Sequence, residues 1–350
     1  MNNTKNIEIF KASVPKEQVL DKKTYDLMPK LVSTEIKKQY TKLSKAIKLH
    51  TITEQIYSTP ELTPQEWMSP TSINTYYKCP RSYFYNYIAK IKTGDNIHLI
   101  KGIVVHKVLE DFFKVYNKNP RAFILELFDE TWASKEKSLN NLELTPEELK
   151  TEHDDALNMV IMYYNRHKEK IDGLILAGKV ENEQHAFYLV KPKFREMYVK
   201  NEDLKVRGYI DRVHKDFNDI ITIGDYKTSK RYGVGLSEDY ERQMSIYSLL
   251  YHEQEKVMPD MASVIFLRYG EEPLLKVTPS VLKCALDSIT DARSKTRSTN
   301  IEAYPLKEGK LCGWCDYLEY CNGTKEWKDA SRKQHLKKLF KKPKVECDKK

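Results

Sequence analysis

The chain has 350 residues, 40% of them hydrophobic, enough to bury a core in one large domain with extensions or in two modest domains. It has no run of about 18 or more apolar residues, and Met1 to Phe10 mixes Asn, Lys and Glu where a secretory leader would be apolar, so the expectation is no membrane span and an intracellular, cytoplasmic location. The formal charge of +9 favours a polyanionic partner but also suits an ordinary soluble protein, and the Lys-rich runs Lys37 to Lys48 and Lys333 to Lys344 read as solvated extensions.

Residues 1–64 are polar, Lys-rich and without Gly, and predict a helical or partly disordered extension. At Ser69 the texture changes: Ser-Pro-Thr-Ser followed by Ile73, Tyr76 and Tyr77 predicts a short capped helix running into Cys79-Pro80. The core domain is therefore placed at 65–325, with a basic tail over 326–350. Helical periodicity follows at Val104 to Phe113, Arg121 to Lys135 and Pro146 to Lys170. From His185 the pattern shifts to short β-type runs: Ala186 to Val190, Leu204 to Val213, Ile220 to Tyr226 and Ala262 to Leu267, with Asn218 at a hairpin turn and a helix over Glu238 to Glu255. This order predicts an α/β domain with a mixed central sheet flanked by helices. There is no GxxxxGK loop and no GxGxxG, which argues against a built-in ATP motor.

The chemistry-bearing residues sit at strand ends. Gly208-Tyr209-Ile210-Asp211-Arg212 closes one apolar strand and Ile223-Gly224-Asp225-Tyr226-Lys227 the next. Strand alternation puts Asp225 and Lys227 on one face, and a hairpin brings Asp211 beside them. Two acids and a lysine suit Mg²⁺ or Mn²⁺, hard cations that take carboxylate oxygens and hold phosphodiesters, with the ammonium stabilising charge on the phosphate. For an isolated Asp-x-Lys, a plain strand-end salt bridge is the commoner explanation. His106, i to i+4 from Glu110 on a helix, offers an imidazole, and Gln243 and Tyr247 share another helix face from which both can hydrogen-bond. Tyr76-Tyr77-Lys78 and Arg81 to Tyr85 interleave aromatic and basic residues, which suits either base stacking or core packing.

Of six cysteines, Cys312, Cys315 and Cys321 form C-x₂-C-x₅-C and Cys79 stands far upstream before Pro80, while Cys284 and Cys347 fit no pattern and read as ordinary thiols. Four clustered thiolates suit Zn²⁺ or a [4Fe–4S] cluster, and spacing alone does not choose.

In order, Gly-x-x-x-His, Gly-x-x-Asp-Arg, Asp-Tyr-Lys-Thr and Gln-x-x-x-Tyr resemble the RecB-like branch of the PD-(D/E)XK nucleases, over Ser69 to Cys321. The resemblance implies a restriction-endonuclease-like sheet. It implies that His106, Asp211 and Asp225 bind the metal, that Lys227 is the catalytic lysine, and that Gln243 and Tyr247 complete the catalytic site with Asp211 and Asp225. An acid before the hairpin, Glu181 or Glu183, is a further candidate. One cysteine before the core and three after it, as in AddB-type and CRISPR-associated exonucleases, implies that Cys79, Cys312, Cys315 and Cys321 hold a [4Fe–4S] cluster as a structural clip, with Zn²⁺ the alternative. The function implied is a metal-dependent deoxyribonuclease, an exonuclease on single-stranded or frayed DNA ends, in repair, recombination, viral replication or CRISPR adaptation, with a helicase or CRISPR integrase as partner. The competing readings are a non-catalytic DNA-binding scaffold subunit and a zinc-stabilised interaction protein.

Overall fold

The computed structural model describes residues 62–94, 96–142, 144–230, 235–309, 312 and 315–322. The expected tail, Cys347 and nearly all of the expected extension lie outside them. Ser69 caps α1 (Pro70–Lys78) through a reciprocal pair with Ser72, at 2.8 and 3.0 Å. Then come α2 (Pro80–Tyr83), continued by a π-helical turn, α3 (Ile97–Phe112), α4 (Pro120–Ala133), α5 (Glu136–Asn140) and α6 (Pro146–Leu176). Next are α7 (Glu183–Val190), β1 (Phe194–Asn201), β2 (Val206–Lys215) and β3 (Ile221–Lys227). The order finishes with α8 (Glu238–Glu255), β4 (Met261–Phe266), β5 (Leu274–Lys276), α9 (Pro279–Lys295) and α10 (Leu318–Asn322).

The expected run of strands needs one correction. Ala186 to Val190 is helical, because the Asn182 side chain accepts from His185 N–H at 2.8 Å and starts α7, which buries Ala186 and Phe187 in the helical core. The first strand is Phe194–Asn201, and Leu274–Lys276 adds an edge strand. The hairpin after β2 turns where expected: Asp216 Oδ1 accepts from Asn218 and Ile220 N–H at 2.8 and 2.9 Å, and Asp219 takes the left-handed conformation at φ 64°.

The sheet order is β1-β2-β3-β4-β5, antiparallel except for β3–β4, whose parallel pairing is made by the α8 crossover. Helices α3, α4, α6 and α7 build the main core against Tyr226, Ile265 and Leu267. Helix α8 packs against β1 to β4 and is backed by α1 and α9.

Burial along β2 alternates up to Ile210, then runs unbroken from Ile210 to Val213, so the alternation changes phase at Asp211. Before that point Gly208 faces α8: a Cβ there would lie 3.0 Å from the Tyr247 ring and 3.3 Å from Pro70. After it, Arg212 reaches Tyr163 of α6 at 3.4 Å. In β1 the residue opposite Asp211 in register is Glu196, at φ 46°. The ribbon thus turns over at one acidic rung.

Candidate active site

The register that pairs Arg212 with Gly224 carries Asp211 toward Asp225 one step on. Asp211 Oδ2 accepts from Tyr226 N–H at 2.6 Å, which ties its carboxylate to β3. Asp225, 5% exposed, accepts from Gln243 Nε2 at 2.9 Å on one oxygen and pairs with Lys227 Nζ at 2.6 Å on the other. Burial, then Asp211, raises the Asp225 pKa in spite of Lys227. Burial opposes the Lys227 charge, but Asp225 outweighs it and lifts the ammonium's pKa, and Tyr240 lies with its ring centroid 5.6 Å from Nζ. Gln243 therefore spends its amide on Asp225. Tyr247, one turn on, has its hydroxyl pKa pushed up by burial and by the carboxylates of Asp225 and Asp211.

His106 comes in from α3. Its Nε2 lies 3.1 Å from the Tyr226 carbonyl and its Nδ1 3.5 Å from Asp211 Oδ1. The carbonyl calls for a proton on Nε2 and leaves Nδ1 facing Asp211: Nδ1 donates there while the ring is charged, and once that proton is lost it offers the lone pair of an oriented metal-ligating imidazole. Burial pulls the imidazole pKa down, but Asp211 and Asp225 override it and raise it to about 9. Glu110, its helix neighbour, pairs instead with Lys107 and Lys114 at 3.0 and 3.3 Å.

A third group that could bind a cation is one the sequence did not reveal. Ligand atoms of His106, Glu196 and Asp211 lie within 4.8 Å of one another. Burial, then the Asp211 charge, pushes the Glu196 carboxyl up to about 7, so these carboxylates are ionised together only at a cost that a cation would remove. Neither Glu181, which is exposed, nor Glu183, in the first turn of α7, belongs to this trio. Asp225 stands behind it, held by Lys227 and Gln243.

Cys79, Cys312, Cys315 and Cys321 line one cavity of about 470 Å³. Burial, then the neighbouring thiols, raises the Cys315 pKa and takes Cys321 to about 12. Cys315 and Cys321 thus hold their protons when alone, and the four thiols together suit a thiophilic cation. Cys284 is exposed. Tyr83, Phe84 and Tyr85 are buried to 1% or less and pack with Tyr304 and Tyr317, so for Arg81 to Tyr85 core packing is the reading realised, while Tyr76 and Tyr77 stay half-buried.

The family model that matches the chain is that of the PD-(D/E)XK nuclease superfamily, over residues 67–322. The chain belongs to the PD-(D/E)XK nuclease superfamily. No curated protein matches it. The mixed five-stranded sheet with helices on both faces fits this superfamily, whose members are metal-dependent nucleases that hydrolyse DNA. Among the described residues no helix is long and apolar enough to cross a membrane.

Proposed function

We propose that the protein is a metal-dependent exonuclease of the RecB-like branch, acting on single-stranded or frayed DNA ends. The convergence of His106, Glu196 and Asp211 in front of the Asp225–Lys227 pair carries this reading. A divalent Mg²⁺ or Mn²⁺ bound there would supply Lewis-acid chemistry to the phosphodiester and the attacking water. The chain's own part follows from geometry. His106, Glu196 and Asp211 would hold the ion, with Asp225 adjoining. Asp225 positions Lys227, whose ammonium meets charge developing on the phosphate, and Gln243 fixes the Asp225 carboxylate so that Lys227 keeps its place. Tyr247 closes the floor under Gly208.

The four cysteines, which line one cavity, are assigned a [4Fe–4S] cluster with zinc as the alternative: the pattern of one upstream and three downstream ligands supports iron. Its role is structural, clipping the start of the domain to its end. The setting assigned is repair, recombination, viral replication or CRISPR adaptation, with a helicase or integrase as partner.

The test is anaerobic incubation of the purified chain with end-labelled single-stranded DNA, with Mg²⁺, Mn²⁺ or EDTA, beside Lys227→Ala. Shortening that needs metal and falls by at least about a hundredfold in the variant is expected, on the scale of removing one group that stabilises transition-state charge. Binding without cutting under every metal would replace the enzyme by a DNA-binding scaffold.

A further inference from the structure

Before its turn at Asp211 the β1–β2 ribbon shows solvent a face that no helix among the described residues covers. Tyr198 and Tyr209 are directly opposite in register, 39% and 55% exposed, with ring centroids 5.2 Å apart. On the next rung of that face Lys200 stands opposite Arg207. Like charges directly opposite across a strand pair destabilise it unless an anion lies over them. Glu202 meets Lys200 at 2.6 Å and Lys205 at 3.3 Å, but among the described residues no carboxylate pairs with Arg207. Arg207 and Lys205 instead lie over the Trp67 ring, at 5.5 and 5.0 Å from its centroid.

This face leads to the metal site. Two residues along each strand from the tyrosine pair stand Glu196 and Asp211. At about 3.4 Å per residue, the tyrosines lie about 7 Å and the Lys200–Arg207 rung about 14 Å from that acidic rung along the ribbon. The sequence of features is therefore cation pair, aromatic pair, metal ligands, at a repeat close to the phosphate spacing of an extended nucleic-acid strand. Aromatic rings stack on bases only where the base faces are open, which selects unpaired strands over duplex.

We propose that the exposed face of the β1–β2 ribbon is the platform for the unpaired strand on its way to the metal site, with bases on Tyr198 and Tyr209 and phosphates on Arg207 and Lys200. The proposal rests on the nuclease reading and specifies the form of its substrate.

It is tested on the full chain in EDTA, so that binding is read without cutting, using fluorescent oligothymidine and a blunt duplex of equal length. Tyr198→Ala with Tyr209→Ala is expected to weaken oligothymidine binding about tenfold or more, which is about 1.4 kcal/mol, and duplex binding much less. Arg207→Gln is expected to lower the slope of log affinity against log salt by about 0.7. Tyr188→Ala, an exposed tyrosine on α7, serves as control and leaves both affinities as they were. Equal oligothymidine binding by the paired variant and the unaltered chain, or equal losses on oligothymidine and duplex, would overturn the platform while the nuclease reading stands on the unaltered chain's cutting. An unaltered chain that neither binds nor cuts DNA would overturn both. Should the alanine pair melt early, Tyr198→Leu with Tyr209→Leu keeps the apolar cover, and the Arg207→Gln salt slope decides independently.

Discussion

Glu196 sits in a conformation that L-residues avoid, at φ 46° in the middle of a strand, where such a backbone costs about 1–3 kcal/mol. It faces Asp211 in register, and burial with that neighbour lifts its carboxyl to about 7. A residue both strained and electrostatically opposed is maintained by something other than fold stability, and cation binding is the use that the trio offers. Glu196→Gln should therefore leave the metal-free chain folded, melting no lower than before, yet weaken Mn²⁺ binding at least about tenfold, the scale on which even supporting partners of metal ligands act. Calorimetric titration of metal-free protein measures this; unchanged affinity would remove Glu196 from the ligand set. Asp225 and Lys227 were legible because they close an apolar strand, where a charge is conspicuous, and Asp211 because it interrupts one, although β2 runs on past it to Lys215 instead of ending there. Glu196 was not, because Phe-Arg-Glu-Met-Tyr-Val-Lys-Asn alternates poorly and its positive φ leaves no trace in residue type.

At the scale of elements, α1, α3, α4, α6 and α8 announced themselves by period and cap, α8 with the bounds its pattern predicts, whereas α9 (Pro279–Lys295) was not foreseen. The segment Ala186 to Val190 misled because an apolar run this short serves strand or helix equally, and packing decided: Phe187 stacks against Phe113 and meets His167 and Phe112 edge-on. That junction of α3, α6 and α7 carries its own pH dependence. His167 is 6% exposed, and burial, followed by Lys170, Arg212 and His214, takes its pKa down to about 3. The folded state thus prefers the neutral ring while the unfolded chain binds a proton near pH 6.5, so the stability in question is complete above about pH 6.5 and drains away as the pH falls toward 3. His167→Leu should flatten the fall in melting temperature between about pH 6.5 and 4, leaving the part due to His214, whose pKa burial also lowers. Melting curves across that range are the check, and an unchanged slope would assign acid sensitivity elsewhere.

Across the whole molecule, the two ends of the folded domain meet around the cysteine cavity, and protein contacts hold them there as well as thiols. Arg81, 2% exposed, donates from Nε to the Tyr304 carbonyl at 2.7 Å, Lys307 Nζ reaches the Tyr77 carbonyl at 2.9 Å, and the Tyr317 hydroxyl lies 3.5 Å from the Ile91 carbonyl. Tyr83 stacks on Tyr304 with centroids 6.1 Å apart. The loop closed by Cys79 and Cys312 spans more than two hundred residues. Closure entropy grows by only about 0.6 kcal/mol per doubling of length, so a metal clip would stabilise mainly through its ligand bonds, on top of an aromatic layer that already joins the ends. Cys315→Ser should then act in two separable steps. Bound iron and its brown colour fall first, and the melting temperature drops by the cluster's contribution, while the sheet and the His106–Glu196–Asp211 site stay assembled and metal-dependent cutting persists at temperatures below the new transition. Iron content, visible absorbance, melting and cutting measured on one preparation test the order. Full loss of cutting in a variant that is still folded would mean that the cluster holds the active site itself, and a colourless unaltered chain with stoichiometric zinc would replace iron by zinc in the clip.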